Sequence, residues 1–366
     1  MKVEIVSFTG HGGLADYALS LAQALSNCAD TRLVTAKSLS VRFDSSSFQV
    51  ERVFRRTRHY PIDIIPFIVG VLRRKPDWVL VQGYLTIPAF DALTVRLLRK
   101  FGVKSAVTVH DVLPHYPRKW SFAEFGFYFR SFDKVIVHST LASEQLRQMG
   151  VIQDILIIPH GVYDIFNLTG ISKSKARLKI GGIEADDFVV LFFGHLEPRK
   201  GLMEFLAMAK LACKQPHLKF LVAGSNNLAR HGRAFVEQLE EARSLPNLLI
   251  HDKRIEFECV ENYFSACDIV ALPYLEGSTS GVLKLALAFG KPVVATKVGD
   301  LPEQTPVGGG VLIENGSSLP IDLIDAINRI KSNYCSYADS MVNARKKADW
   351  GDISKKVFQF LSCGIT

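Results

Sequence analysis

Short apolar runs rich in β-branched residues alternate with helical stretches along the chain. Runs at 3–8, 78–81, 105–109, 134–137 and 155–158 form one series, and runs at 188–193, 219–223, 269–272, 292–295 and 310–313 form a second. They are apolar throughout rather than alternating, as expected of strands covered on both faces. Between them lie stretches with helical spacing, among them 15–25, 202–212 and 282–289. Strand–helix alternation twice over predicts an α/β protein with two doubly wound domains. The series break at Pro159-His160-Gly161-Val162-Tyr163-Asp164, a Pro/Gly turn followed by the polar stretch 171–187, which predicts a domain boundary there. A last segment, 349–361, carries Trp350, Ile353, Val357, Phe358 and Phe360 at helical spacing. No short-period repeat or low-complexity tract interrupts the pattern.

Composition narrows the class. A chain of 366 residues suits two domains. With 48% hydrophobic and 22% charged residues it is neither disordered nor collagen-like. The formal net charge is +8, concentrated in the first half, which predicts an anionic partner there: a phosphorylated ligand, an acidic membrane surface or nucleic acid. The basic residues form no recognition-helix or stacking motif, so nucleic acid is not expected. Six scattered cysteines without C-x-x-C or zinc spacing read as reduced, partly buried thiols of a cytosolic protein. The N-terminal apolar run breaks into glycines too early for a signal peptide, and the run IIPFIVGVL near residue 64 is too short to span a bilayer. A soluble or peripheral, cytoplasmic protein is expected.

Four loops carry chemistry. Thr9-Gly10-His11-Gly12-Gly13 joins the first strand to a helix. Glycines let the backbone approach a ligand and the helix start offers N–H groups to a phosphate, although a plain tight turn uses the same glycines. Ala15 stands where a dinucleotide fingerprint needs its third glycine, and no acidic residue closes the second strand to read a ribose. Gly194-His195-Leu196-Glu197-Pro198-Arg199-Lys200-Gly201 sets two cations just before a helix, which suits a diphosphate; a solvated basic loop is the alternative. In Pro273-Tyr274-Leu275-Glu276-Gly277-Ser278-Thr279-Ser280-Gly281-Val282, the hydroxyl residues are N-cap types, small side chains open the amides to an anion, and Glu276 can accept hydrogen bonds from sugar hydroxyls. Two anion-type loops at strand carboxyl ends agree with where doubly wound sheets bind ligands. Thr108-Val109-His110-Asp111 ends a strand in the first half, and His110 reads either as a core imidazole or as a cleft residue beside Asp111.

Taken together, these pieces resemble a retaining GT-B glycosyltransferase of family 4 over nearly the whole chain. Pro159-His160-Gly161-Val162 resembles that family's I-P-N-G-V, and residues 194–201 resemble G-R-L-x-x-x-K-G. Residues 264–273 resemble the stretch before its signature. Ser280-Gly281-Val282 through Phe289-Gly290-Lys291-Pro292 resembles the signature helix of a sub-branch with S-G-V, continued by Val298-Gly299-Asp300-Leu301-Pro302-Glu303. The resemblance implies two Rossmann-like domains facing across a cleft. Residues 1–163 would bind the acceptor, residues 164–347 the nucleotide-sugar, and residues 348–366 would form a helix crossing back to the first domain. It implies sugar transfer from a nucleoside-diphosphate-sugar to an acceptor hydroxyl with retention, in polysaccharide or glycolipid assembly. His110, Lys200 and Glu276 would be catalytic. Gly12, Gly13, His195, Arg199, Lys200, Gly224, Arg254, Ile255, Thr279, Ser280, Gly281 and Val282 would bind the donor, with Asp111 on the acceptor side. No D-x-D occurs, and such enzymes generally use protein cations and a helix dipole, so no metal and no cofactor besides the donor is expected. Two positions depart from the pattern. His195 stands at the family arginine, and the Glu–seven–Glu signature falls on Gly277 and Leu285, which leaves the ribose without an assigned partner.

Between residues 52 and 75, seven Arg or Lys surround the apolar run 62–72, and residues 116–122 and 125–132 mix cations with aromatics. Such mixtures suit an interface on anionic lipid, the alternative being a core helix with basic ends. The expected partners are therefore a nucleotide-sugar, a glycan or lipid-linked acceptor, and an anionic membrane surface on its inner face. The competing class is a degenerate GT-B protein that binds nucleotide as a partner subunit. A GT-B epimerase would need more cleft carboxylates than Glu276 and Asp111, and a dehydrogenase a fuller glycine fingerprint.

Overall fold

Two separate parallel sheets organise the chain. The computed structural model describes residues 1–114, 117–277 and 280–363; the expectations for Tyr116, Ser278 and Thr279 lie outside the described residues. Residues 1–161 and 348–366 form one compact unit, and residues 162–347 form the other.

Unit 1 runs β1 (Lys2–Val6), α1 (Gly13–Leu25), β2 (Asp30–Ala36), β3 (Gln49–Phe54), α2 (Tyr60–Arg74), β4 (Trp78–Gln82), α3 (Pro88–Lys100), β5 (Lys104–Val109), α4 (Ser121–Phe129), β6 (Lys134–Val137), α5 (Thr140–Gln148) and β7 (Asp154–Ile157). Its seven strands order as β3-β2-β1-β4-β5-β6-β7, all parallel. The chain steps outward from β1 in one direction and from β4 in the other. Because crossovers are right-handed, α1 lies on one face and α2, α3, α4 and α5 on the opposite face. One core unites that second face: Ile64 and Phe67 of α2, Val95 and Leu98 of α3 and Phe125 and Phe129 of α4 pack with alternate valines of β4, β5 and β6.

β2 and β3 are absent from the sequence expectation. Their polar residues are engaged laterally: Arg74 pairs with Glu4 of β1 and Glu51 of β3, so a charged strand near the sheet edge is satisfied without apolar patterning. The mixed segment 125–132 also reads differently in three dimensions. Phe125, Tyr128, Phe129 and Phe132 are buried core rather than an interface, and only the preceding Trp120 and Phe122 face outward.

Unit 2 continues with α6 (Lys173–Ile180), β8 (Phe188–Phe193), α7 (Leu202–Leu211), β9 (Leu218–Ala223), α8 (Arg233–Ala242), β10 (Leu248–His251), α9 (Phe257–Ala266), β11 (Ile269–Leu272), α10 (Gly281–Ala288), β12 (Val293–Thr296), α11 (Leu301–Gln304), β13 (Gly310–Ile313), α12 (Leu319–Ser332) and α13 (Tyr334–Lys347). The order is β10-β9-β8-β11-β12-β13, again parallel. β10, an edge strand only four residues long, is the third strand the pattern does not announce. Buried Asp268 ties α6 to the sheet, accepting from Arg177 at 3.0 Å, from the Val189 amide at 2.8 Å, and from Lys173. Such a charge is tolerated inside because each oxygen is bonded. All six cysteines are free, but the thiols are less buried than expected: Cys267 alone is buried, and Cys259, Cys335 and Cys363 are exposed.

The last helix, α14 (Trp350–Ser362), belongs to unit 1 and packs on α1. Asp349 caps it by accepting from the Gly351 amide at 2.8 Å. Trp350 lies so close to Gly161 that any Cβ there would strike the indole. At the other end, the Lys134 ammonium donates to the carbonyls of Cys363 (2.6 Å) and Phe360, satisfying orphan C=O groups at the negative end of the helix. Lys134→Met is expected to loosen α14, costing about 1–3 kcal/mol and speeding proteolysis within residues 348–363, while unit 2 keeps its unfolding transition; calorimetry with limited proteolysis checks both.

Candidate functional site

The unit 2 sheet changes direction between β8 and β11, and at that switch point three loops meet at the strand carboxyl ends. The loop after β8 is wedged between the other two by backbone contact. A Cβ on Gly224, after β9, would collide with the carbonyl oxygen of Gly194, and a Cβ on Gly201 would collide with that of Pro273. Gly201 also holds φ +71°, a left-handed value suited to glycine. The Leu275 and Glu276 amides donate to the Arg199 carbonyl at 2.8 and 3.2 Å, closing the wedge from the β11 side.

Lys200 projects from this frame. A Cβ built on Gly194 would lie 3.5 Å from both the Lys200 Nζ and a methyl of Val282, so the ammonium and the first turn of α10 flank the same point of backbone. The Lys200 ammonium also lies 5.6 Å from the centre of the Tyr274 ring. Ser280 caps α10, accepting from the Leu283 amide at 3.3 Å, and its hydroxyl meets that of Tyr274 at 3.0 Å. A cation beside a capped helix N-terminus is an anion-binding arrangement.

The other polar groups of the loop have defined states. Arg199 pairs with Glu197 at 2.8 Å. Burial works against that carboxylate, but Arg199 and Lys200 hold its pKa below the ordinary glutamate value. His195 is pulled below the usual imidazole range by burial and by the charge of Lys200, so the ring is neutral at pH 7. Asn227 lies 3.3 Å from His195 Nδ1 through its amide nitrogen, which can only donate. That contact suits the tautomer in which Nδ1 accepts and Nε2 carries the proton. Glu276 and Arg254 are exposed, and Ile255 is half-buried.

In unit 1 the switch point lies between β1 and β4. The turn after β1 passes through Gly12 at φ +79°, directly before Gly13 opens α1. His110 follows β5, its Nε2 3.3 Å from Oε1 of Gln82, the last residue of β4. Adjacent strands contribute His138 after β6 and His160 after β7, and nitrogens of the three imidazoles lie within 4.8 Å of one another. Tyr17 of α1 packs edge-on against His110, with centroids 4.6 Å apart, and also contacts His160 and Trp350. His138 Nδ1 meets the Ile158 carbonyl at 3.3 Å and His160 Nδ1 that of Gly161 at 2.7 Å. Burial in this aromatic nest pushes the His110 pKa down to about 3. Asp111 is half-buried.

Within unit 2, Lys200, Arg199, His195, Gly224, Ser280, Gly281 and Val282 converge. Within unit 1, Gly12, Gly13 and His110 lie at strand carboxyl ends. Sequence reasoning passes over Asn227, Tyr17 and His138, takes His160 only as part of the boundary turn, and passes over Lys284, a buried lysine whose pKa is lowered to about 8 by burial against the pull of Asp300. A lysine inside the apolar run LKLALA, and histidines just after two predicted strands, were the available signals.

Two parallel-sheet, Rossmann-like units of this kind define the GT-B class. Residues 11–164 match the family Glycosyltransferase Family 4, and residues 187–333 match Glycosyl transferases group 1. Each unit thus contains a stretch matched by a glycosyltransferase family model, and the architecture of two parallel-sheet units is of GT-B type. Among curated relatives, the D-inositol 3-phosphate glycosyltransferase of Geodermatophilus obscurus is 29% identical over 184 residues, 48% of this chain and 40% of the relative. That of Segniliparus rotundus is 31% identical over 177 residues, 46% of this chain and 38% of the relative. The match thus spans well under half the length of these relatives. Among solved structures, sucrose-phosphate synthase from Thermosynechococcus elongatus superposes with TM-score 0.76 at 18% identity, covering 98% of each chain. Anabaena HepE in complex with UDP gives TM-score 0.74 at 19% identity, covering 99% of this chain and all of that one.

Two outcomes follow from this geometry. Gly224→Ala should abolish the unit 2 unfolding transition or lower its midpoint strongly, whereas Gly12→Ala, with open space around the new methyl but a backbone at φ +79° and ψ 179° that favours glycine, should cost about 1–3 kcal/mol of backbone strain alone. The His110 pKa is lower in the folded than in the unfolded chain, so its contribution to stability is full above about pH 6.5 and is lost as pH falls toward 3. Thermal unfolding of unit 1 should therefore weaken between pH 6.5 and 5 by up to about 1.4 kcal/mol per pH unit for this group, a dependence that His110→Phe should reduce.

Proposed function

We propose that the chain transfers a sugar from a nucleoside-diphosphate-sugar to an acceptor hydroxyl with retention at the anomeric carbon. The observation that carries this reading is the placement of the Lys200 ammonium and the α10 first turn together beside Gly194. As the bond to the sugar breaks, negative charge gathers on the departing diphosphate. Lys200 neutralises it, and amides of Gly281 and Val282 together with the α10 dipole add donors that need no reorganisation. His195 acts as a neutral partner whose Nε2–H donates to a phosphate oxygen in the place of the family's arginine. Arg199, restrained by Glu197, adds a second positive charge without leaving its loop. With these donors in place the reaction needs no metal and no cofactor besides the donor. Glu276 accepts from sugar hydroxyls, and Gly224, Arg254 and Ile255 contact the base. Unit 1 takes the acceptor, with Asp111 on that side.

The names of the curated relatives, which are glycosyltransferases, support this class, as does HepE, solved with UDP and with UDP-glucose. Glycan or lipid-linked hydroxyls are the proposed acceptor class. The second reading, a nucleotide-binding subunit without turnover, is favoured by His195 and by Leu285 at the second signature position.

One experiment separates the two. Lys200→Ala should lower transfer or donor hydrolysis by roughly 10²–10³-fold while leaving the melting temperature intact; undiminished turnover in that variant would sink the assignment. A thermal-shift series with UDP, GDP and ADP names the base, since a saturating ligand stabilises the fold according to its occupancy. Stabilisation without any turnover in the unmutated protein would select the binding subunit.

A further inference from the structure

The face of unit 1 formed by α2, α3 and α4 carries a feature that sugar transfer does not use. These helices bury their inner sides in one core and pack on one another in the order α2, α3, α4. Tyr60 of α2 meets Phe90 of α3, and Arg96 of α3 stacks 4.2 Å over Phe127 of α4, so the three outer sides adjoin. Those outer sides are apolar where a solvated layer would be polar. On α2, Ile62 and Ile65 are 61% and 60% exposed, with Val69 a turn further on. On α3, Phe90, Leu93 and Leu97 continue the stripe, and Trp120 and Phe122 extend it at the start of α4. An exposed apolar surface of this extent marks an interaction site.

Charge identifies the occupant. Residues 55–122 hold twelve Arg or Lys and four Asp, a net +8, of which Arg74 and Arg99 are paired with Glu4, Glu51 and Asp133 from outside the segment. Two of the four carboxylates point inward: Asp63 is buried and bonded to Arg55, and Asp91 is buried and bonded to the Tyr60 hydroxyl and the Leu85 and Thr86 amides. Asp111 is half-buried, and only Asp77 is exposed, next to the amino end of β4. The cations, by contrast, stand outward at both ends of the apolar stripe, with Arg56 and Arg58 before α2, Arg73 at its end, Lys100 ending α3, and Arg118 and Lys119 before α4. A second copy of the same face would bring two such charges together, which opposes self-association. A bilayer rich in anionic lipid satisfies both parts, taking the apolar side chains at the headgroup boundary while cationic stems extend to phosphates and Trp120 sits at the interface. Among the described residues no helix is long and apolar enough to cross a membrane, which fits a layer lying on the surface rather than spanning it.

We infer that the α2–α3–α4 face of unit 1 is a docking surface for anionic membrane, entered by Ile65, Leu93 and Trp120 and held by the surrounding Arg and Lys. This inference does not rest on the transferase reading. Flotation of the full chain with phosphatidylcholine–phosphatidylglycerol vesicles and with pure phosphatidylcholine vesicles, at low and high salt, tests it. Binding to the anionic vesicles at low salt, lost at high salt or on neutral vesicles, is expected. The triple change Arg56→Glu, Arg58→Glu, Lys100→Glu and the double change Ile65→Asp, Leu93→Asp should each weaken vesicle binding at least about tenfold. Their melting temperatures and nucleotide-induced thermal shifts should stay as in the unmutated protein, and Lys200→Ala should still float. No binding to anionic vesicles at low salt, or binding unchanged in both variants, overturns the inference. So does a concentration-dependent dimer that the double change abolishes, which would assign the face to a second copy.

Discussion

Steric contact between backbone atoms at the carboxyl ends of β8, β9 and β11 is the constraint on which the unit 2 site depends. Parallel strands bring their carboxyl ends to one edge, and glycine at 201 and 224 lets the loops that leave them touch carbonyl to Cα. No side chain fits in either gap. The loop carrying Lys200 is thereby held against both neighbours through backbone, and its ammonium and the first turn of α10 both lie beside Gly194. Preorganisation of that kind is what electrostatic stabilisation requires: a donor already in place gains charge contact without first losing its own freedom.

The charges around this point are arranged with equal economy. Arg199 is paired with Glu197, and His195 is neutral because burial and the neighbouring ammonium both oppose its protonation. Crowding three cations would have cost free energy in the empty site; one ammonium, one paired guanidinium and one neutral ring avoid that cost while leaving several donors for an anion. Unit 1 follows a related logic with the opposite sign of exposure. Its three imidazoles pack against Tyr17, and desolvation there keeps His110 uncharged far below its ordinary range.

Topology also divides labour within unit 1. One face of the sheet is sealed by α1, with α14 packed on it and held by Lys134; the other is layered by α2, α3 and α4, whose outer sides stay apolar and basic. The same reversal of chain direction at β1 and β4 that creates the switch point places the helices on opposite faces.

Legibility of all this in the sequence varied with how completely each residue type is tied to one environment. The central strands, buried on both faces, announce themselves as unbroken apolar runs, and the glycine-rich loops between strand and helix mark the carboxyl-end sites together with Lys200, His195 and Ser280. β2, β3 and β10 escaped because strands at or near a sheet edge draw stability from lateral pairing and ion pairs and need no apolar pattern. The aromatics at 125–132 looked interfacial although most are core, since ring content says nothing about which way a helix is turned. Sequence alone thus settled the doubly wound class, the positions of the loops and the sign of the charge, all of which are local or additive properties. The union of Asn227 with His195, the histidine row at three strand ends and the outward stripe of α2 and α3 were decided by tertiary structure, because each depends on distances between segments that only the sheet order and crossover handedness bring together.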